Sequence, residues 1–233
     1  MYEGIRNYLN AFVHLFYPQI CFGCGTDQLD KGYPLCKACI EALPTTDFFS
    51  IHNNPVEKIF WDNALVQHAG ALLFFTKDSL VQQLMIQLKY QHNQKVGTLF
   101  GNLMGTALNQ EVKFNSIDLF IPIPIRRSKL NQRGFNQSHV IAQGIQAILN
   151  RPILHTVLQK NNRPFAQTNK DRIARLTKTN NPFDLNNKGQ IKGKNILIID
   201  DVCTTGATLQ AAVACLMEGA PASISIATAA YTL

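Results

Sequence analysis

The residues with the clearest chemical content lie in one stretch, Ile196-Leu197-Ile198-Ile199-Asp200-Asp201-Val202-Cys203-Thr204-Thr205-Gly206-Ala207-Thr208-Leu209. An unbroken apolar run, of the kind buried on both faces of a parallel sheet, ends in two acids. A short loop of hydroxyls around one glycine then opens a helix. Ligands of open α/β sheets bind at the carboxyl ends of strands, and a helix N-terminus there offers unpaired N–H groups to a phosphate. Gly206 lets the backbone approach closely, while Thr204, Thr205 and Thr208 add hydroxyl donors. Two carboxylates beside a phosphate cradle make sense as acceptors for sugar hydroxyls. The pattern therefore predicts a ribose 5-phosphate, its hydroxyls on Asp200 and Asp201 and its phosphate on the loop from Val202 and Cys203 to Ala207 and Thr208. The plainer alternative, a strand end and a helix cap, needs fewer polar residues than are present. No Gly-x4-Gly-Lys-Ser/Thr and no Gly-x-Gly-x-x-Gly after a strand occurs, which removes a P-loop and disfavours a dinucleotide fold.

A second constellation stands at the front. Cys21, Cys24, Cys36 and Cys39 form two Cys-x2-Cys knuckles, a spacing that brings four thiolates to one tetrahedral zinc. Gly23 and Gly25 permit the turn around the first pair. Metal binding would supply folding energy that so short a loop lacks. Two disulfides, a redox pair or four unrelated thiols are the alternatives, and a reducing compartment argues against disulfides. Cys203 and Cys215 read as buried thiols.

Charge is concentrated as well. The chain carries a net +7, yet residues 126–194 alone hold fourteen Lys and Arg against Asp171 and Asp184. Such a segment suits a polyanion, either a phosphate-rich small molecule or a nucleic-acid backbone. Read alone, Arg126–Arg133 could be a solvated basic turn, and His139 and His155 are expected to be satisfied surface or core histidines.

These residues need a scaffold. Helical spacing is expected over 4–16, Leu80–Leu88, Val96–Leu108, 138–149 and Leu209–Met217. Strands are expected at Ala64–Gln67, Gly70–Phe75, Ile117–Ile123, Ile153–Leu158, Ile196–Ile199 and Ile224–Ala230. Their alternation predicts an α/β domain with a mainly parallel sheet flanked by helices. The 4–16 helix is amphipathic without a basic face, so packing on the protein's own body is expected. Residues 44–60, punctuated by Pro44, Asn53, Asn54 and Pro55, read as a linker. The expected division is a front module over 1–45, a linker over 46–60 and the α/β domain over 61–233. With 233 residues, 46% apolar and 16% charged, the composition excludes disordered, collagenous and coiled-coil classes. No apolar run reaches the ~18–20 residues of a membrane span, and the start lacks a basic n-region, so a cytoplasmic location is expected.

The β-strand, two acids and Thr-Thr-Gly-x-Thr turn resemble the phosphoribosyl-diphosphate (PRPP) signature of type I phosphoribosyltransferases. Ile121-Pro122-Ile123-Pro124, followed by Arg126-Arg127-Ser128-Lys129-Leu130-Asn131-Gln132-Arg133-Gly134-Phe135-Asn136-Gln137, is similar to the central signature of the ComF family, and Leu88-Lys89-Tyr90 matches a shorter pattern of it. That family carries a four-cysteine zinc module in front of a phosphoribosyltransferase-like domain. The resemblance covers essentially the whole chain. It implies PRPP bound with Mg²⁺, with Asp200 and Asp201 on the ribose and residues 202–208 on the 5-phosphate. The turn after Pro124, with Arg126, Arg127 and Arg133, would face the pyrophosphate, Lys89 would also belong to the PRPP site, and the segment from Lys160 to Asn181, with Arg163, Gln167 and Arg175, would form a flap over it. Within that flap Lys170 stands where the family has an apolar residue, and Lys178 where it has Asn. The resemblance further implies a role in natural transformation. Either pentosyl transfer to an unread acceptor continues, or the fold serves as a non-catalytic module for single-stranded DNA or a partner of the uptake machinery. Only Phe135, Phe165 and Phe183 interleave the basic segment, fewer aromatics than single-strand binders use.

Overall fold

The apolar runs do become strands, and four of them share one sheet. The computed structural model describes residues 19–30, 32–161 and 181–232. It divides into two compact units, Met1–Leu43 and Pro44–Leu233. The expected helix over 4–16 and the flap residues Arg163, Gln167 and Arg175 lie outside the described residues.

In the smaller unit the knuckles enclose a loop, and α1 (Lys37–Glu41) carries Cys39. Buried residues are few among those described here: Cys21, Pro34, Leu35, Cys36 and Leu43.

The larger unit is built on β1 (Val66–Phe75), β2 (Leu119–Pro122), β5 (Asn195–Cys203) and β6 (Ser223–Thr232), ordered β1-β6-β5-β2 with every pairing parallel. β3 (Leu158–Lys160) and β4 (Phe183–Leu185) make a separate antiparallel pair. Because alternate residues of a strand face opposite ways, both faces of so apolar a sheet need cover. On one face Ile121, Ile196, Ile198, Ile224 and Ile226 pack with Val56 and Phe60 and with Leu209, Val213 and Leu216 of α7 (Ala207–Met217). On the other, α3 (Leu80–Tyr90), α4 (Gln94–Asn109) and α6 (Gln137–Leu149) contact the strands. α4 and α6 cross at Gly101 and Gly144, where a Cβ on Gly144 would lie 2.7 Å from the Gly101 Cα, so any side chain would force the helices apart. Among the described residues no helix is long and apolar enough to cross a membrane.

Several local expectations are corrected. Residues 46–60 are not a free linker but part of the larger unit's core, with Phe48, Phe49, Val56 and Phe60 buried. Asn54 organises them: its side-chain oxygen accepts the Val56 and Glu57 N–H groups that open α2 (Pro55–Lys58). Its Nδ2 lies within 3.0 Å of the Phe48, Ile51 and Ala69 carbonyls. The two short strands expected around residues 64–75 are one continuous strand. Residues 153–158 supply only an isolated bridge at Ile153 before β3 begins. The basic turn after Pro124 is a helix, α5 (Arg127–Arg133), ended by Gly134 in the left-handed region.

Candidate active site and metal centre

β5 ends where its backbone leaves the core, and its last residues frame a cavity of about 590 Å³. Lys89, Pro124, Arg126, Arg133, Asp200, Asp201, Val202, Thr204 and Thr208 line it, all of them expected from the sequence. Five further polar residues do so: Lys129, Gln137 and Lys160, which belong to the basic signature and the edge of the expected flap, and Ser138 and Thr232, which the sequence did not single out. Other expected residues sit elsewhere. Arg127 is exposed at the start of α5 and does not line the cavity, whereas Arg126 just before the helix and Lys129 within it do. Cys203 is buried in the core, so only its backbone belongs to the loop. Burial pushes the thiols of Cys203 and Cys215 up to about 12, leaving both inert.

The two acids have different surroundings. Asp200 is buried, and its Oδ1 accepts from the Ser138 hydroxyl and the Asp201 N–H, both at 2.9 Å. Burial, and then the neighbouring Asp201 charge, push its carboxyl up to about 7 despite those bonds. Asp201 is more open and forms an ion pair with Lys89 at 2.8 Å. Ser138 is held in turn by Asn136, which caps α6 and donates to the Ile123 carbonyl at 3.0 Å. The end of β2 and the start of α6 thus fix the acid of β5.

Beyond Asp201 the chain turns through Gly206 at φ 73° and enters α7. A Cβ there would lie 2.5 Å from Ile59 Cγ2, so this position must be glycine on both counts. No side chain caps α7 in the usual manner, and only Thr205 Oγ1 takes an N–H of its first turn, from Ala207 at 3.4 Å. Cations face this turn across the cavity. Arg133 lies over the Tyr90 ring at 5.3 Å and donates to Gln137 at 3.0 Å. Lys160 lies over Phe183 at 5.0 Å, its ammonium pushed down first by burial and then by Arg126 and Lys129, against the pull of Asp200.

His139 departs from its expected satisfied state. Its Nδ1 is buried without a hydrogen-bond partner and its ring faces that of His155 at 5.3 Å, while burial lowers its pKa.

In the smaller unit the four cysteine Sγ atoms lie within 4.8 Å of one another, and none is in a disulfide. Cys24 and Cys36 stand 3.7 Å apart, close to the ~3.8 Å edge of a tetrahedron with 2.3 Å metal–sulfur bonds. The Gly23 and Cys36 N–H groups point at Cys21 Sγ at 3.4 and 3.3 Å, the usual support for a bound thiolate. The donor set and its spacing fit a tetrahedral, thiophilic ion.

Comparison with known proteins agrees with this anatomy. Residues 131–232 match the phosphoribosyl transferase domain. Over 152 residues the chain is 31% identical to Competence protein ComFC of Bacillus subtilis, spanning 65% of this chain and 60% of that protein, under two thirds of its length. Over 204 residues it is 22% identical to Competence protein F of Haemophilus influenzae, spanning 84% of this chain and 83% of that protein. Among solved structures, a purine phosphoribosyltransferase from Pyrococcus horikoshii is similar at 20% identity and a TM-score of 0.36, spanning 56% of this chain and 79% of that one. The domain match takes in the acids and the threonine turn and both relatives are competence proteins, so the chain carries a phosphoribosyl transferase domain and is similar to the ComF competence proteins.

Proposed function

We propose that the cavity at the end of β5 binds PRPP with Mg²⁺ and supports pentosyl transfer, and that the protein acts in natural competence, as its relatives' names suggest. One observation carries the reading: a carboxylate pair, a threonine turn at a helix N-terminus and a set of cations converge on a single cavity. Asp200 and Asp201 accept the ribose hydroxyls. Residues 202–208 receive the 5-phosphate through N–H and hydroxyl donors. Arg126, Lys129, Arg133 and Lys160 oppose the charge of the pyrophosphate, and Lys89, 2.8 Å from Asp201, holds that carboxylate in place. The paired carboxylates are hard oxygen donors of the kind Mg²⁺ accepts, and the ion when bound neutralises part of the leaving pyrophosphate. In the transfer, the bond from the anomeric carbon to pyrophosphate breaks as a bond to the acceptor forms. The protein's share of that reaction is positioning and charge. In the smaller unit we assign zinc to the four cysteines as a structural ion.

Calorimetry with PRPP and Mg²⁺ tests the reading. Saturable heat that chelation abolishes, and that Asp200→Asn with Asp201→Asn removes, supports it; unaltered affinity in that variant sinks the ribose assignment.

A second reading, a binding module for single-stranded DNA, is favoured by one feature. Arg126, Arg127 and Lys129 are exposed on or beside α5, and Arg127 points outside the cavity. Strand binding would weaken steeply with log salt and persist after chelation.

A further inference from the structure

The larger unit holds a second cluster of ligating side chains outside the cavity. His52 comes from the turn before α2, Glu57 from α2 and His68 from β1. One ligand atom of each lies within 4.8 Å of the others. His68 Nδ1 and Glu57 Oε1 stand 4.0 Å apart, and both are buried without a hydrogen-bond partner. A buried, unpaired carboxylate oxygen and ring nitrogen are each costly, and here they face the same small space. Two details aim them there. Glu57 Oε2 is already committed to the Asn53 N–H at 2.7 Å, which leaves Oε1 as the oxygen presented. The β1–β6 register also shifts between Val66 and His68, the kind of irregularity that re-aims a side chain.

Two imidazoles and a carboxylate are the donor set of open divalent transition-metal sites. Bonds of ~2.0–2.1 Å in a tetrahedron require ligand atoms about 3.3 Å apart, so a modest side-chain rotation closes the observed gap. One group opposes a cation: the Lys113 ammonium acts on His68 and is itself buried without a partner, lying over Phe114.

We propose that His52, Glu57 and His68 form a divalent transition-metal site, distinct from the four cysteines, that ties the 52–57 turn to β1. Its position gives it a consequence. Two residues after Glu57, the Ile59 carbonyl accepts from Gln210 at 3.0 Å, and the Ile59 side chain fills the space beside Gly206. An ion at the cluster fastens the segment on which the threonine turn rests.

The probe is Co²⁺ added to the full chain with its cysteines already filled by zinc. The expected result is one further equivalent, with visible absorption of nitrogen and oxygen coordination and no thiolate charge-transfer band. His68→Ala and Glu57→Gln should each weaken uptake at least tenfold, with circular dichroism confirming the fold. Lys113→Met should tighten it severalfold, a gain that a merely structural cluster would not give. No further uptake at millimolar cobalt, undiminished uptake in the His68 and Glu57 variants, or no tightening in Lys113→Met overturns the assignment.

Discussion

The cysteine knuckles and the β5–α7 site use opposite strategies to hold polar groups in place. Among the described residues of the smaller unit, few besides two of the cysteines, two leucines and Pro34 are buried, so little packing is available there to hold the thiols in place. In the larger unit the acids and threonines stand at the rim of a sheet whose strand centres are buried, so packing holds the site's backbone independently of any ligand. The first kind of site is a folding device, and the second can afford unfavourable electrostatics, as the raised carboxyl of Asp200 demonstrates.

The largest effect should therefore fall on the smaller unit. Chelation of zinc, or Cys21→Ser, should unfold residues around the knuckles, since structural zinc contributes about 10–16 kcal/mol of apparent binding energy in small modules. Limited proteolysis should then cut within residues 21–43 while the larger unit stays intact. Cleavage inside β5 or β6 under the same conditions would erase the contrast. The next largest effect concerns ligand and not fold. Asp200→Asn with Asp201→Asn should lower PRPP affinity by roughly a hundredfold or more, at about 1.5–3 kcal/mol per hydrogen bond to a charged group. The melting temperature should not fall.

Gly206→Ala comes third and tests whether the turn before α7 is as rigid as its packing suggests. A methyl at that position meets Ile59 and a φ of 73°, so a loss of about 1–3 kcal/mol in stability is expected. Pairing it with Ile59→Ala should recover the part due to the clash and leave the backbone strain. A full recovery would mean that φ was never limiting.

The same contrast explains what could be read from the sequence. The knuckles and the β5–α7 stretch are contiguous, and each carries its chemistry in residues a few positions apart. Ser138 could not be found that way: it reaches Asp200 across 62 residues, by way of the parallel β2–β5 pairing and the Asn136 cap. Helix α5 was hidden because Leu130 is its sole apolar residue, leaving no periodicity to detect. The supposed linker over 46–60 misled for the opposite reason. Its turn residues are real, but scattered Phe48, Phe49 and Phe60 are drawn into the core, and the buried Asn54 side chain satisfies the backbone there. His139 lost its expected partner because α6 presents it to another histidine and not to an acid.

The smallest effect, and the sharpest test of the prepaid site, is in pH. The Asp200 carboxyl is raised from 3.8 to about 7, by burial first and by Asp201 second. Between roughly pH 4 and 7 the folded protein keeps a proton that the unfolded chain has released, so stability declines as pH rises through that window and levels off above it. Ligand binding should run the other way, because accepting ribose hydroxyls requires the ionised carboxylate. PRPP affinity should climb toward pH 7 and flatten beyond, after correction for the ligand's own phosphate using Asp200→Asn as the reference. Ser138→Ala removes one hydrogen bond to the charged form, so it should move the midpoint upward and cost severalfold in affinity at neutral pH. An unshifted midpoint in that variant would mean that Ser138 positions the loop without touching the charge of Asp200.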